Sequence, residues 1–289
     1  PQDTSSAASD VYKRQGQLFR LVYRKNYLGR NKMADDLGFG DVKSRVSAEE
    51  WQARVDLAAL YRLTAYHGWD DLIFTHISMR VPGPEHHFLI NPYGLLFEEI
   101  TASSLVKVDL EGEIVEDTPY NINPAGFTIH SAIHAAREDA RCVMHLHTDQ
   151  GVAVSAQKNG LLPISQHAMI AQHEVAYHDY EGVALNHDER ERIVADMGDK
   201  SMLILRNHGT LTCGATAAQT YMRMFYLERA CKMQIMAQAG GGELIICSEE
   251  VQDVVKGQSN PKGMAVLSDK LLWPAALRRL DRNLPGYDA

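Results

Sequence analysis

The 289-residue chain predicts one α/β or α+β unit with extensions, and three observations carry that expectation. Its length is high for one domain and short of two average ones. Its composition, 45% hydrophobic and 23% charged, is that of a globular chain able to bury a sizeable core. Between residues 47 and 239, segments of helical apolar spacing alternate with short strand-like segments, without internal repeats or low-complexity blocks.

Charge and cysteine usage remove several function classes. With 29 basic against 37 acidic side chains the net charge is −8, which argues against a nucleic-acid footprint and would repel anionic lipid. No apolar run reaches the length of a membrane span, and the first residues lack a signal-peptide pattern, so a cytoplasmic protein is expected. Cys142, Cys213, Cys231 and Cys247 form no C-x-x-C pair and read as buried free thiols. The compositional oddity is the count of 13 histidines.

Residues 1–15 are set apart from the fold. Asp10-Val11-Tyr12-Lys13-Arg14-Gln15 resembles the translation of a sequencing-library adaptor, and a natural disordered tail leads to the same division. Residues 16–46 read as a basic arm, 47–240 as the main domain and 241–289 as a C-terminal extension.

Order is expected from Ser47-Ala48-Glu49-Glu50, a capping box in which Ser47 and Glu50 each satisfy a backbone N–H. The following helix carries Val55, Leu57, Ala58, Leu60 and Leu63 on one stripe and stops at Gly68. Leu72 to Val81 and His87 to Asn91 read as strands around a Pro-Gly-Pro loop, followed by a turn at Asn91–Gly94. Residues 105–110 alternate as a half-buried strand, with Ile114-Val115 as its return. Residues 126–137 repeat at helical spacing, and Cys142 to Thr148 is a strand. The histidine-rich stretch from Leu161 to His187 reads as irregular. Asp188 caps a helix to about Met197, Met202–Leu205 and Thr210–Cys213 are strands, and residues 216–239 form a long amphipathic helix. The tail beyond it shows only short helical possibilities.

His145-Leu146-His147 is the sharpest local pattern, because residues two apart on a strand project from the same side. Two imidazoles side by side suit a metal, although H-x-H alone equally suits surface or core histidines. Arg206-Asn207-His208-Gly209 sets a third histidine at a tight turn after an apolar strand, where a side chain projects into a cleft; the bland alternative is a turn histidine.

Together these segments resemble the class II aldolase/adducin family over roughly residues 48–239. The resemblance is carried by Gly68–Arg80 (GWDDLIFTHISMR), Leu89–Gly94 (LINPYG), Leu105–Gly112 (LVKVDLEG), Cys142–Thr148 (CVMHLHT) and Leu205–Gly209 (LRNHG). It implies a three-layer α/β/α fold around a mainly antiparallel sheet, usually in a cyclic homotetramer with active sites at subunit borders. It also implies that His145, His147 and His208 hold a divalent metal, Zn²⁺ first and Fe²⁺ as the alternative. Three neutral imidazoles suit such ions and leave coordination positions open for substrate oxygen and water.

The chain departs from the family's aldolases where their P-S-S-E loop supplies an acid/base carboxylate and phosphate-binding serines. Here that loop is Asn123-Pro124-Ala125-Gly126, and the upstream Gly-Asn phosphate loop is Thr75-His76. This pattern is similar to the adducin-like bacterial branch. His130, one helical turn beyond the lost Glu at Gly126, and His76 are the candidate catalytic residues. Thr75, His76, Tyr93, Gly94 and His167 are the candidate substrate-binding residues, with His173, Tyr177, His178, Glu174 and Asp179 behind them. His67, His86, His87, His134 and His187 read as solvated or capping histidines. The function expected is a metal-dependent lyase, cleaving aldols or removing carboxylate from a small non-phosphorylated oxo- or hydroxy-acid or related carbonyl compound. A non-haem Fe(II) oxygenase on the same three histidines and a noncatalytic adducin-like module are the alternatives. No nucleic-acid or membrane partner is expected.

Overall fold

The computed structural model of the chain describes residues 42–182 and 189–289. The expected tail at 1–15, most of the arm at 16–46, the cap at Asp188 and His187 lie outside them.

The first helix, α1 (Ala48–His67), starts and stops on the residues expected. The Ser47 hydroxyl accepts the Glu50 N–H at 3.1 Å. At the other end Gly68 adopts φ 65°, and its N–H and that of Trp69 bond to the carbonyls of Ala65 and Thr64, a Schellman closure that a residue without Cβ permits. The capping box is only half made. Instead of turning back to Ser47, the Glu50 carboxylate pairs with Arg54 and Lys107, each at 3.0 Å. Arg54 is buried and also donates to Glu116 and to the Leu105 carbonyl, so the charge is fully partnered.

The sheet has seven strands: β1 (His76–Arg80), β2 (Phe88–Ile90), β3 (Val106–Val108), β4 (Cys142–Leu146), β5 (Val175–His178), β6 (Met202–Leu205) and β7 (Gly209–Gly214). Their order is β3-β2-β1-β4-β7-β6-β5, and every pairing is antiparallel except that of β5 with β6. The first strand is shorter than expected. Leu72 and Thr75 take φ 53° and 64°, left-handed values that interrupt extended backbone, so Leu72–Thr75 is a turn and the strand begins at His76. The Ile114 return is a single bridge to Val108.

Helices cover both faces, and alternation along the strands shows why. Cys142, Met144 and Leu146 of β4 pack with Leu57 and Leu60 of α1 and with Met224 on the long helix Ala217–Gln238. Val143, between them, packs on the other side with Ile129 and Ile133 of α2 (Pro124–Ala136) and with Ile193 on the helix Glu189–Met197. The expected three-layer α/β/α architecture with a mainly antiparallel sheet is therefore the one present.

Residues 149–155, for which the sequence predicts no element, and the stretch from Leu161 expected to be irregular both contain structure. Thr148 caps α3 (Asp149–Ser155), Ser165 caps α4 (Gln166–Ala171), and β5 follows. Helices this short show no apolar period, so their caps were the available signal. The remaining helices are α5 (Glu189–Met197), α6 (Ala217–Gln238), α7 (Glu249–Gln258), α8 (Pro261–Leu267) and α9 (Trp273–Asn283). The last of these belongs to the main core: Trp273, Ala276, Leu280 and Tyr287 are buried with α1. The buried Arg62 of α1 donates to the carbonyls of Leu284 and Pro285, and the Ala102 N–H donates to the Tyr287 carbonyl at 2.8 Å.

His134 is neither solvated nor capping. It is buried under α2, stacked on Phe88 with ring centroids 4.3 Å apart, and held by the Ser78 hydroxyl at 2.7 Å and the Ala140 carbonyl at 2.9 Å. Burial pushes its pKa down to about 3, with the Arg80 guanidinium acting in the same direction against the Ala140 bond.

Two predictions follow from this packing. Leu280→Ala should lower unfolding free energy by about 2–5 kcal/mol in denaturant titration, the cost of a cavity in a shared core. Because the folded-state pKa of His134 lies below its unfolded value of about 6.5, the unfolded chain binds the extra proton, and stability present above that pH falls as pH drops toward 3. In His134→Gln, stability measured from pH 6.5 to 4 should decline less steeply, by up to about 1.4 kcal/mol per pH unit.

Candidate metal centre

Two chain reversals bring three histidines to one end of the sheet. His147 follows β4 directly, and His208 stands in the turn between β6 and β7. That turn depends on Asn207, which adopts φ 56°, a left-handed value an Asn tolerates, while the His208 N–H closes onto the Leu205 carbonyl at 3.1 Å. Gly209 serves a different purpose: a Cβ there would collide with the Leu146 carbonyl oxygen and crowd the rings of His145 and His147. The β4–β7 register, Leu146 against Thr210 and His145 against Leu211, sets the two reversals side by side.

The ring nitrogens converge. Nε2 of His147 lies 3.0 Å from Nε2 of His145 and 3.0 Å from Nε2 of His208, and one nitrogen from each ring falls within 4.8 Å of the others. Hydrogen bonding on the far side of two rings fixes where their protons are. Nδ1 of His145 lies 3.1 Å from the Thr210 carbonyl, and Nδ1 of His147 lies 3.0 Å from Oδ2 of Asp71. A carbonyl or carboxylate only accepts, so both Nδ1 atoms carry hydrogen, and a neutral ring so held presents a bare Nε2. Bare nitrogens facing each other at this distance cannot bond to one another. They suit a shared cation.

Electrostatics keeps two of the rings neutral. His145 is held well below the usual histidine range by burial, then by the neighbouring His208 and His147, and His208 is pushed down to about 4 by burial and His147. Asp71, in the turn before β1, also lines a cleft of about 560 Å³ with His147, Trp69, Asp149, Phe225 and Arg279. Behind the cleft Glu228 accepts from the hydroxyls of Thr148 and Thr210, and burial raises its pKa.

Of the other expected residues, Thr75, His76 and His130 lie near His145, and the rest scatter. His76 is buried at the start of β1, directly across from His145, and not on a loop. His130 is buried beneath α2, its ring edge-on to His76 at 6.0 Å between centroids. Thr75 is buried in the left-handed turn. Tyr93 and Gly94 follow β2, separated from β4 by β1, and His167 stands on α4 against Tyr226 with ring centroids 5.3 Å apart. Glu174 pairs with Arg223, Tyr177 accepts the Leu161 N–H, and His173 contacts the Gln252 carbonyl. His178 bonds Asp196 at 2.7 Å, and Asp179 lies on an open pocket beside Asn207. His67, read as solvated or capping, instead stacks on Trp69 at 4.3 Å and bonds the Tyr221 hydroxyl at 2.7 Å. Sequence reasoning missed the partners of the rings. Asp71 lay inside a quoted motif, and its distance from His147 in the chain hid the contact; the Thr210 carbonyl left no residue-type signal.

Comparisons with known proteins agree with this fold. A family model described as "Class II Aldolase and Adducin N-terminal domain" matches residues 55–235. A provisionally named aldolase class 2 protein of Caulobacter vibrioides is 66% identical over 247 residues, 85% of this chain and 95% of that protein. Rat alpha-adducin is 47% identical over 211 residues, 71% of this chain but 29% of that longer protein. An aldolase II superfamily protein from Pseudomonas syringae superposes with TM-score 0.81 at 54% identity, covering 86% of this chain and all of that one. L-fuculose 1-phosphate aldolase from Glaciozyma antarctica PI12 superposes with TM-score 0.73 at 27% identity, covering 85% and 95%. With more than half its length matched by the family model, this chain belongs to the class II aldolase and adducin N-terminal domain family.

Proposed function

We propose that this protein is a divalent-metal-dependent lyase acting on a small, non-phosphorylated oxo- or hydroxy-acid or related carbonyl compound by aldol cleavage or decarboxylation. The observation that carries this reading is the convergence of one ring nitrogen from each of His145, His147 and His208, which we take as the ligands, with Zn²⁺ as the first candidate ion. A bound divalent ion would supply a Lewis acid for a substrate oxygen. The protein's part is to aim the rings: the Thr210 carbonyl and the Asp71 carboxylate hold the Nδ1–H groups and so fix tautomer and orientation. Substrate would reach the ions' open side through the cleft beside His147.

Support for a non-phosphorylated substrate comes from the chain itself. Asn123–Gly126 carries neither the serine hydroxyls nor the carboxylate of a sugar-phosphate site, and Thr75-His76 replaces the second phosphate loop. His130 and His76 are the proposed proton-handling residues, and Thr75, Tyr93, Gly94 and His167 the proposed substrate contacts, some of them from neighbouring subunits of a homotetramer. A cytoplasmic location accords with the absence, among the described residues, of any helix long and apolar enough to cross a membrane. The similarity to alpha-adducin favours a second reading, a noncatalytic module, and the lost carboxylate at Gly126 is compatible with it.

Metal analysis separates these readings. Protein purified without chelator should contain about one equivalent of metal per chain, Zn²⁺ for lyase chemistry or oxygen-sensitive Fe²⁺ for the oxygenase; no uptake of either would sink both enzyme readings. His145→Ala should lose the metal while keeping its circular dichroism, and the thermal stabilisation that excess Zn²⁺ gives the unaltered protein, about 2.7 kcal/mol at a hundred times Kd, should vanish. Asp71→Asn should retain binding but weaken it by about 10–100-fold in a competitive chelator titration, since only the orienting carboxylate is lost.

A further inference from the structure

Beneath α2, on the sheet face that carries His145, three side chains form a hydrogen-bonded chain that the metal centre does not use. The Ser78 hydroxyl lies 2.6 Å from Nδ1 of His130 and 2.7 Å from Nε2 of His134, and Nδ1 of His134 lies 2.9 Å from the Ala140 carbonyl. All three side chains are buried. The proton positions follow from the inventory of donors and acceptors. The Ala140 carbonyl can only accept, so His134 carries its hydrogen on Nδ1. Burial keeps that ring neutral, which leaves its Nε2 bare and able only to accept. Ser78 has one hydroxyl hydrogen, and it must go there. His130 must then donate from Nδ1 to the Ser78 oxygen, and its own Nε2 is left bare.

That bare nitrogen has no hydrogen-bond partner among the described residues, and it is not alone. Thr75 Oγ1 and both ring nitrogens of His76 are likewise buried and unpartnered. His76 stands between them, edge-on to His130 and directly across the β1–β4 pairing from His145. Thr75 is held next to it in a left-handed conformation that a β-branched residue rarely adopts, φ 64°, which is local strain of the kind that persists where a binding site needs it. The group therefore offers hydroxyl and imidazole atoms, and no lysine, arginine or carboxylate, beside the proposed ligands. A carboxylate or phosphate finds no lysine or arginine among them. A hydroxyl, which donates one hydrogen and accepts another, matches them.

We infer that Ser78 and His134 are positioning residues that lock His130 in its Nδ1–H form, and that Nε2 of His130, with Thr75 and His76, reads a neutral hydroxyl group on the small acid or carbonyl ligand of this protein. The inference rests on the proposed function for the ligand class; the locked tautomer stands apart from it. It makes the relay a determinant of specificity: a ligand that lacks the hydroxyl leaves His130 without a donor.

The test uses the full chain labelled with ¹⁵N-histidine. His130 should show a protonated Nδ1 and an unprotonated Nε2 in the unaltered protein, and 3-hydroxypropionate should move its Nε2 resonance where propionate does not. The preference for the hydroxylated acid should be about tenfold, the worth of one hydrogen bond to a ring nitrogen. Ser78→Ala should release the tautomer and abolish the preference, and Ser78→Thr, which keeps the hydroxyl, should restore both. A protonated Nε2 on His130, or an equal response to the two acids, would overturn the inference. Should Ser78→Ala fail to fold, the tautomer and the acid pair measured on the unaltered chain and on Ser78→Thr decide it. A locked tautomer and hydroxyl preference in a protein that takes up no metal would uphold the relay and sink the metal reading alone.

Discussion

The antiparallel pairing of β4 with β7 is the constraint on which the rest of the structure depends. Its register sets the end of one strand, Leu146 and His147, against the start of the other, His208 and Gly209, so the distance between the two histidine-bearing segments is fixed by main-chain hydrogen bonds rather than by side-chain packing. Gly209 is what allows the approach, because the Leu146 carbonyl occupies the space a Cβ would need. Strands β1 and β6 flank the pair, and helices close both faces, so the three histidines stand at the end of central strands and inherit the geometry of the core.

The same pairing explains how polar groups survive in this interior. Alternate residues of β4 serve opposite faces, and the α2 face receives His145 together with His76 and Ser78 from β1. Imidazoles in that layer are tolerable because burial removes their charge and because each can donate on one side while accepting on the other. The opposite face solves the problem differently. There Glu228 is retained by hydroxyl donors from Thr148 and Thr210, with burial favouring its neutral form. One residue thus contributes to both solutions: the hydroxyl of Thr210 engages Glu228 while its carbonyl orients His145.

How much of this was legible in the sequence follows from the range of each interaction. The ends of α1 were legible because a helix cap is written within four residues, and Ser47 and Gly68 stand where they were expected. The long strands and α6 were legible because their apolar periods run over enough residues to distinguish them. The six- and seven-residue helices after His147 were not, and neither was β5. Residues 273–287 read as a tail because their apolar groups find partners more than 200 positions away, on α1. For the site, residue type and spacing marked the three histidines, whereas what orients them was invisible: Asp71 is 76 residues from His147, and a backbone carbonyl has no letter of its own.

The misreadings share a physical cause that bears on the chemistry. His67 and His134 read as solvated or capping because an isolated histidine carries no sequence signal of burial, yet both are packed against aromatic rings and hydrogen-bonded on defined nitrogens. Burial holds both rings below the usual histidine range, so each acts as a neutral, directional residue. Among these buried imidazoles proton placement follows from hydrogen bonds to main-chain acceptors, the Ala140 carbonyl for His134 and the Thr210 carbonyl for His145, and it needs no charged partner.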